Sequence, residues 1–444
     1  MQSVNTEFPE FLKNFEETLK HLFHTKEDIG QLSLQRGLPS AVMSEIMSQL
    51  PLAVAIPKQY GGRGSSVKEC LGILAAASYE SLPLSLIFGI NIALFLEPVT
   101  KYAEESVKKE IFYHFLKAQN MGGLMITEPN YGSDALNMKT VNIPCEGGYK
   151  IKGSKHWQGL TGMADYWLIA CRQESSPGEL SRDIDFFICD VSQEKQRIVV
   201  EEYYDNLGLY MIPYGLNKLD LEVPARFKLQ PETTGIKMML DILHRSRMQF
   251  PGMGMGFIKR MMEEAIAHCQ NRVVGTANLL ALDQVQFQLT RIQAAFTICS
   301  AMCARSSEIS GVDHNLAAQG LEANSMKAVV TDLMQESAQI LVQLSGANGY
   351  RIKHIGGRGI IDSRPFQIFE GSNEMLYAQI AEIITRLMKK QKQMQVFTFL
   401  KDFKLTSQAC LPLKEELSFT LSDSIPQRKL VDLGKILGRI VAVS

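Results

Sequence analysis

The chain of 444 residues has almost no net charge, with 46 basic side chains against 47 acidic ones. Binding to nucleic acid through bulk charge is excluded on that ground. It also has no C-x-x-C pair. Its eight cysteines (Cys70, Cys145, Cys171, Cys189, Cys269, Cys299, Cys303 and Cys410) are scattered, which argues against a disulfide framework and for a reducing compartment. No uncharged apolar run reaches the ~20 residues that a membrane span needs. The longest, Ser81 to Leu96, lies between Glu80 and Glu97 and contains Pro83, Ser85 and Asn91, so a buried core helix is expected there. The N-terminal stretch has no apolar signal core and no arginine before Arg36, and it carries Glu7, Glu10, Glu16 and Glu17. No targeting peptide is visible, and a cytoplasmic location is expected.

What is present is ordinary globular composition, 45% hydrophobic and 21% charged, which excludes disorder as the dominant state. At roughly 150 residues per domain the length suggests about three domains. Apolar residues recur at helical spacing in Phe11 to Phe23, Val42 to Leu50 and Cys70 to Ala77, interrupted by a loop from Ile56 to Gly64. From about residue 121 to 230 the texture changes to short β-branched and aromatic runs: Tyr149 to Ile151, Tyr166 to Ala170, Asp185 to Val191, Ile198 to Tyr204 and Leu216 to Val223. The helical period then returns in Phe257 to Arg272, Gln284 to Ser310 and Leu321 to Leu344, which favours a bundle. The expected class is α+β, with a β domain (121–234) between an all-α domain (1–120) and a helical bundle (235–388). The remainder, 389–444, holds ten basic and five acidic residues, so near-neutrality is a cancellation between a tail of +5 and a body of −6.

Chemistry concentrates in a few segments. Met125 to Asp134 is rich in turn formers and hydroxyls, and Gly153-Ser154-Lys155-His156-Trp157 follows it. Gln343 to Tyr350 and Phe369-Glu370-Gly371-Ser372-Asn373-Glu374 come near the end of the bundle.

In this order the segments resemble the acyl-CoA dehydrogenase family of flavoproteins. Pro57 to Gly64 is similar to the family's P-x-x-Y-G-G-x-G, Thr127 to Asp134 to T-E-P-x-x-G-S-D, Gly153 to Trp157 to G-x-K-x-W, and Glu370 to Glu374 to E-G-[ST]-N-E. The resemblance spans roughly residues 40 to 388. It implies a helical N-terminal domain, a middle β-barrel or sheet, a C-terminal four-helix bundle and, here, a helical extension. It also implies FAD-dependent conversion of an acyl thioester to a trans-2-enoyl thioester, with Glu370 taking the α-proton while the β-hydride passes to flavin N5. A carboxylate in an apolar pocket suits that work because burial raises its pKa towards the operating pH. Some members carry the base on a bundle helix beside an arginine. The matching position here is Ser246 before Arg247, and serine cannot serve.

By the same resemblance Ile126, Thr127, Ser133, Trp157, Arg272, Gln343, Gly346, Ala347, Ser372 and Glu374 would surround FAD, with Ser133, Arg247 and Gly371 facing substrate. The Glu370 backbone N–H would bond the thioester carbonyl. Arg272 would pair with the pyrophosphate. Ala347 stands where the family has a second glycine, which suits a residue not needing positive φ. Two departures stand out. The family's W-I-T is here Trp157-Gln158-Gly159, losing a hydroxyl near flavin N5 unless Thr161 or Gln158 replaces it. The family's R-D is here Ile361-Asp362, with Arg364 close by.

Other signals are discounted. Gly252-Met253-Gly254-Met255-Gly256 lacks dinucleotide-loop spacing and is expected to serve close helix packing. His21 with His24, and Cys299 with Cys303, lack a second pair, so no metal site is expected. Lys429 to Val443 is basic and amphipathic. A helix packed on the bundle or at a subunit interface is the first expectation for it, and membrane-surface contact the second. Expected partners are an acyl-CoA or acyl-carrier-protein substrate, an electron-transfer flavoprotein, and further copies of the chain in a homodimer or homotetramer. An acyl thioester oxidase and a non-catalytic scaffold of the same fold stay open as alternatives. Glu370 argues against a monooxygenase, which needs no α-proton base.

Overall fold

The computed structural model describes residues 4–422 and 424–444. Helices Phe8–His21, Ser40–Met47, Val67–Glu80, Leu82–Asn91 and Glu105–Lys117 build the N-terminal part. Leu82–Asn91 runs through a π turn, Ile92–Leu96, into Glu97–Tyr102, so one helix continues through Pro98. Proline lacks the N–H for the preceding turn, and a wider turn just before it absorbs that loss. The stretch Leu82–Tyr102 is long and apolar enough to cross a membrane, but its apolar window is entirely buried within the fold, as expected of a core helix.

Eight strands follow: β1 Gly122–Met125, β2 Val141–Cys145, β3 Gly148–His156, β4 Tyr166–Ser176, β5 Glu179–Leu180, β6 Asp185–Asp190, β7 Val199–Tyr203 and β8 Gly215–Pro224. Their order is β1-β4-β2-β3-β8-β7, with β5 and β6 also on β4. β4 therefore serves two sheet segments. Its first half, Tyr166 to Cys171, pairs with β6 and is buried, while Arg172 and Gln173 pair with β2. Trp167 lies in the core across Gly123, where a Cβ would come within 2.5 Å of its ring.

The bundle is made of Phe250–Asn271, Asp283–Ile309, Gly320–Ser345 and Asn373–Lys390, flanked by Gly235–Arg247 and Ile355–Ser363. The glycine-methionine run sits inside its first long helix. A Cβ at Gly256 would stand 1.9 Å from the Ala75 carbonyl and one at Gly252 2.9 Å from that of Leu71. These glycines let Val67–Glu80 approach backbone to backbone, tying the N-terminal helices to the bundle.

The tail adds Val396–Asp402 and Gln427–Val443. The last helix buries Leu433, Leu437 and Ile440 in a second apolar cluster with Tyr377, Ile380 and Ile384, and Gly434 lies over the Tyr377 carbonyl. Its apolar face is thus covered by the bundle and its outward face carries Arg428, Lys429, Lys435 and Arg439. Ile436 on the same helix is exposed.

One carboxylate lies inside this core. Glu97 is 1% exposed, and Gln249 Nε2 donates to its two oxygens at 3.0 and 2.9 Å. Burial, opposed by Arg245 and by Gln249, raises its pKa from 4.5 to about 7. Between those values the folded state binds more protons than the unfolded one, so stability falls as pH rises through that window. Urea unfolding across that pH range will show wild type losing roughly 3 kcal/mol relative to Glu97→Gln, whose stability lacks this decline.

Candidate active site

The turn from Phe369 to Ser372 joins a short 3-10 stretch, Arg364–Gln367, to the Asn373–Lys390 helix. Glu370 has φ 53° and Gly371 φ 92°, two successive residues in the left-handed region. Glycine adopts it freely, whereas a glutamate gives up roughly 1–2 kcal/mol, so neighbouring groups must hold the turn. Arg247, at the end of Gly235–Arg247, donates to the Glu370 carbonyl from Nε (3.2 Å) and Nη2 (2.7 Å). Lys327, fully buried on Gly320–Ser345, donates to the Gly371 carbonyl at 2.8 Å and to Asn373 Oδ1 at 2.9 Å. Asn373 Nδ2 in turn donates to the Ala328 carbonyl at 3.1 Å and Asp332 Oδ1 at 2.7 Å. Arg247 Nη1 reaches Asn324 Oδ1 at 2.7 Å.

The Glu370 carboxylate is asymmetric. Ser246 Oγ donates to Oε1 at 3.0 Å, while Oε2 is out of solvent and has no hydrogen-bond partner among the described residues. Burial raises the carboxyl pKa, against the opposing pull of Arg247, the Ser246 hydroxyl and Lys327. The Glu370 backbone N–H has no backbone acceptor among the described residues. Ser246, which cannot act as a base, thus acts on the group that can. Ser372 caps the following helix, its hydroxyl accepting from Met375 N at 3.4 Å, and Glu374 is exposed in that helix's first turn.

Across from this turn stands the β domain. Trp157 follows β3 at φ 59°, its N–H donating to the Gly215 carbonyl at 3.1 Å. Its indole is 51% exposed and lies 4.5 Å from the Tyr204 ring. The Thr127 carbonyl accepts from His156 N at 3.0 Å and Gln158 Nε2 at 3.1 Å, which fixes the Met125 to Asp134 loop beside Trp157. Beneath the loop, buried Lys155 donates to the Ile126 carbonyl at 2.8 Å and to Glu128 Oε1 at 2.9 Å. Glu128 also accepts from Lys139 N and Thr140 N. Burial pushes the Glu128 pKa up, but Lys155 and these N–H groups outweigh it and hold the carboxyl low. Ser133 is exposed at the loop's far end.

A Cβ at Gly159 would stand 2.8 Å from Ile90 Cδ1, the far end of a side chain that can shift, with Ile212 and Tyr214 beyond. Neither proposed substitute for the lost hydroxyl is free. Thr161, fully buried, donates to the Gln158 carbonyl at 2.8 Å and accepts from Asn217, and Gln158 is spent on Thr127. Tyr214, which no motif pointed to, lies beside Gly159. Its ring is 6.1 Å from that of Trp157, and after burial the charges of Asp362 and Glu370 raise its hydroxyl pKa. Arg364 does not pair with Asp362, because it donates to Gln367 at 2.7 Å. Asp362 accepts from Leu209 N at 2.7 Å and feels Arg358, one turn earlier. That bond docks a β-domain loop onto Ile355–Ser363, setting the β domain against the bundle.

The remaining predicted residues lie elsewhere. Arg272 is exposed at the end of Phe250–Asn271, before a hairpin of Val273–Val274 with Ala277–Asn278. Gln343, Gly346 and Ala347 are exposed at the end of Gly320–Ser345. Gly346 has φ 60°, and Ala347 lies in a 3-10 turn without positive φ. Between these helix ends runs an open groove of about 780 Å³ lined by His268, Asn348, Arg351, Ile352, Lys353 and His354. The structure therefore brings Glu370, Gly371 and Arg247 together, gathers Ile126, Thr127 and Trp157 in the β domain, and leaves Arg272 with the Gln343 to Ala347 element on the surface. Lys327, Asn324, Asp332 and Tyr214 lay outside sequence reasoning. Only Asn373 could have been suspected, from its place within the E-G-S-N-E element.

The acyl-CoA dehydrogenase middle-domain model matches residues 123–221, and that family's C-terminal-domain model matches residues 233–385. The chain is 24% identical over 329 residues to an acyl-CoA dehydrogenase of Bacillus subtilis, spanning 73% of this chain and 84% of that protein. It is 23% identical over 344 residues to the short-chain specific acyl-CoA dehydrogenase of Megasphaera elsdenii, spanning 75% and 87%. Against the mitochondrial very long-chain specific enzyme of Bos taurus it is 20% identical over 396 residues, 85% of this chain and 58% of that protein. Among solved structures, butyryl-CoA dehydrogenase from Megasphaera elsdenii superposes with a TM-score of 0.75 at 19% identity, covering 87% and 99% of the two chains. The prolyl acyl carrier protein oxidase AnaB does so at 0.77 and 17%, covering 86% and 99%.

Lys155→Met leaves Glu128 buried without its cation. It will destabilise the protein by about 3–5 kcal/mol in denaturant unfolding, and the double substitution Lys155→Met/Glu128→Leu will recover part of that loss.

Proposed function

The chain belongs to the acyl-CoA dehydrogenase family, and on that premise we propose that it converts an acyl thioester to a trans-2-enoyl thioester with Glu370 as base and FAD as cofactor. One observation carries this reading: Glu370 Oε2 is buried, has no hydrogen-bond partner among the described residues and belongs to a carboxyl of raised pKa, while Oε1 is held by Ser246. An oxygen so left is a proton acceptor in search of a proton.

The residues present fit FAD. A half-exposed indole at Trp157 stands beside Thr127 and Ile126, suited to a flat ring, and Ser372, whose oxygen accepts from Met375, retains an O–H to donate. Arg272, Gln343, Gly346, Ala347 and the basic groove beside them suit the pyrophosphate of a dinucleotide, reaching it from a second copy of the chain in a homo-oligomer. FAD held there would supply the acceptor for the β-hydride of the substrate. The protein does the rest. Glu370 Oε2 takes the α-proton, and its free backbone N–H stabilises negative charge on the thioester oxygen. Arg247 keeps base and donor in place through the Glu370 carbonyl. Gly371 and Ser133 complete the substrate side. The similar proteins of Bacillus subtilis and Megasphaera elsdenii are named for acyl-CoA, which supports a coenzyme A thioester; an electron-transfer flavoprotein is the acceptor that goes with this proposal.

A second reading, an acyl thioester oxidase, is favoured by the absence of a hydroxyl at Gly159 and by the commitment of Thr161 and Gln158 elsewhere.

Anaerobic titration with acyl-CoAs and acyl-carrier-protein thioesters, followed at the flavin band, tests the proposal. Wild type will bleach and Glu370→Gln will not; equal bleaching in both removes Glu370 as the base. Admission of air then separates the readings, since rapid recovery of the yellow colour would mark an oxidase.

The base works ionised, so activity falls as pH drops through the Glu370 pKa. Ser246→Ala removes a donor that favours the ionised form. The acid limb of the reduction rate will therefore move up by roughly one pH unit.

A further inference from the structure

Lys327 is fully buried, yet the two groups it donates to, the Gly371 carbonyl and Asn373 Oδ1, are both neutral. A buried ammonium bonded only to neutral oxygens is costly unless a nearby anion favours it. Burial lowers its pKa to about 7, and the strongest opposing influence is the Glu370 carboxylate. Arg247 lowers it further, while Asp332 on its own helix and Glu374 on the facing helix raise it. The influence is mutual, because Lys327 also favours the ionised form of Glu370. Geometry adds a second role. Glu370 and Gly371 are consecutive left-handed residues, and their two carbonyls are each held by a different buried cation, Arg247 for the first and Lys327 for the second. A neutral donor could hold the Gly371 carbonyl, whereas Lys327 also bonds Asn373 Oδ1 and places a charge near Glu370.

Resting on the assignment of Glu370 as base, we propose that Lys327 is a positioning residue for α-proton abstraction: its ammonium clamps the Gly371 carbonyl, keeping the Glu370–Gly371 pair left-handed, and its charge keeps Glu370 ionised. Below its own pKa Lys327 is charged, so the charge is present where Glu370 would otherwise take up a proton.

The test uses the FAD-loaded full chain, with Lys327→Met removing both donor and charge and Lys327→Gln keeping a donor without charge. Two readouts are taken: hydrogen–deuterium exchange of the 368–376 segment, read with and without FAD, and the pH profile of anaerobic flavin reduction by an acyl-CoA. In Lys327→Met, exchange will quicken at least tenfold, the reduction rate will fall about 100-fold with KM changed less than threefold, and the acid limb will move up by about one pH unit. In Lys327→Gln the acid limb will move similarly with a smaller change in exchange. A folded, FAD-containing Lys327→Met with wild-type exchange and acid limb overturns the proposal. If Lys327→Met does not fold, Lys327→Gln decides: an unmoved acid limb overturns, a raised one supports. Glu370→Gln measured alongside distinguishes the two failures. Bleaching by that variant defeats the base assignment and with it the charge role, whereas wild-type exchange in a folded Lys327 variant defeats the clamp alone.

Discussion

The site depends on holding two consecutive left-handed residues, Glu370 and Gly371, inside a protein interior. Their backbone cannot join a helix or sheet ladder, so its polar groups need partners from side chains. Arg247 and Lys327 supply them, each from a different helix, and Asn373, Asn324 and Asp332 complete the donors and acceptors around them. Such a network stabilises only when every member is satisfied. Within it the Glu370 carboxylate is the exception, its Oε2 having no hydrogen-bond partner among the described residues.

The same logic recurs in the β domain with the opposite outcome. Glu128 is a buried carboxylate whose ionised form has every partner it needs, Lys155 and two backbone N–H groups, and it serves as a fixed post for the Ile126–Thr127 loop. Glu370 is a buried carboxylate kept half satisfied. Two glutamates of one chain thus differ in the direction of their pKa shifts through the number of donors aimed at each. Glu97 is a third case, a carboxylate held by an amide in the core whose pKa burial raises to about 7.

Much of the architecture was legible in the residue pattern. The β-branched and aromatic runs Tyr166 to Ala170 and Leu216 to Val223 became β4 and β8, and the apolar stretch after Ser81 became a buried helix, because burial on one or both faces selects such residues locally. The short strands β1, β2 and β5 were missed, as each is set by its neighbour in the sheet more than by its own sequence. The packing role expected of Gly252 and Gly256 follows from their lacking a Cβ, although the partner helix was unknowable from spacing. In the site, motif residues were legible and their supports were not. Lys327 reads as an ordinary helical lysine, and Tyr214 belongs to no matched motif. The position after Gln158 looked like a lost hydroxyl awaiting a substitute, and the side chains that surround it, Ile90, Ile212 and Tyr214, come from distant segments.

By itself the sequence determined the order of helical, β and helical parts, the family, and a glutamate in an E-G-S-N-E turn as the residue to watch. These are properties of neighbours along the chain, where periodicity and motif spacing carry the information. The tertiary structure alone decided which cations meet that turn, which oxygen of Glu370 stays free, and that the tail's apolar face lies on the bundle. Those contacts join residues such as Glu370 with Ser246, 124 positions apart. Hydrogen bonding and desolvation act through space over a few ångströms, and the chain's linear order does not record which distant groups folding will bring within that range.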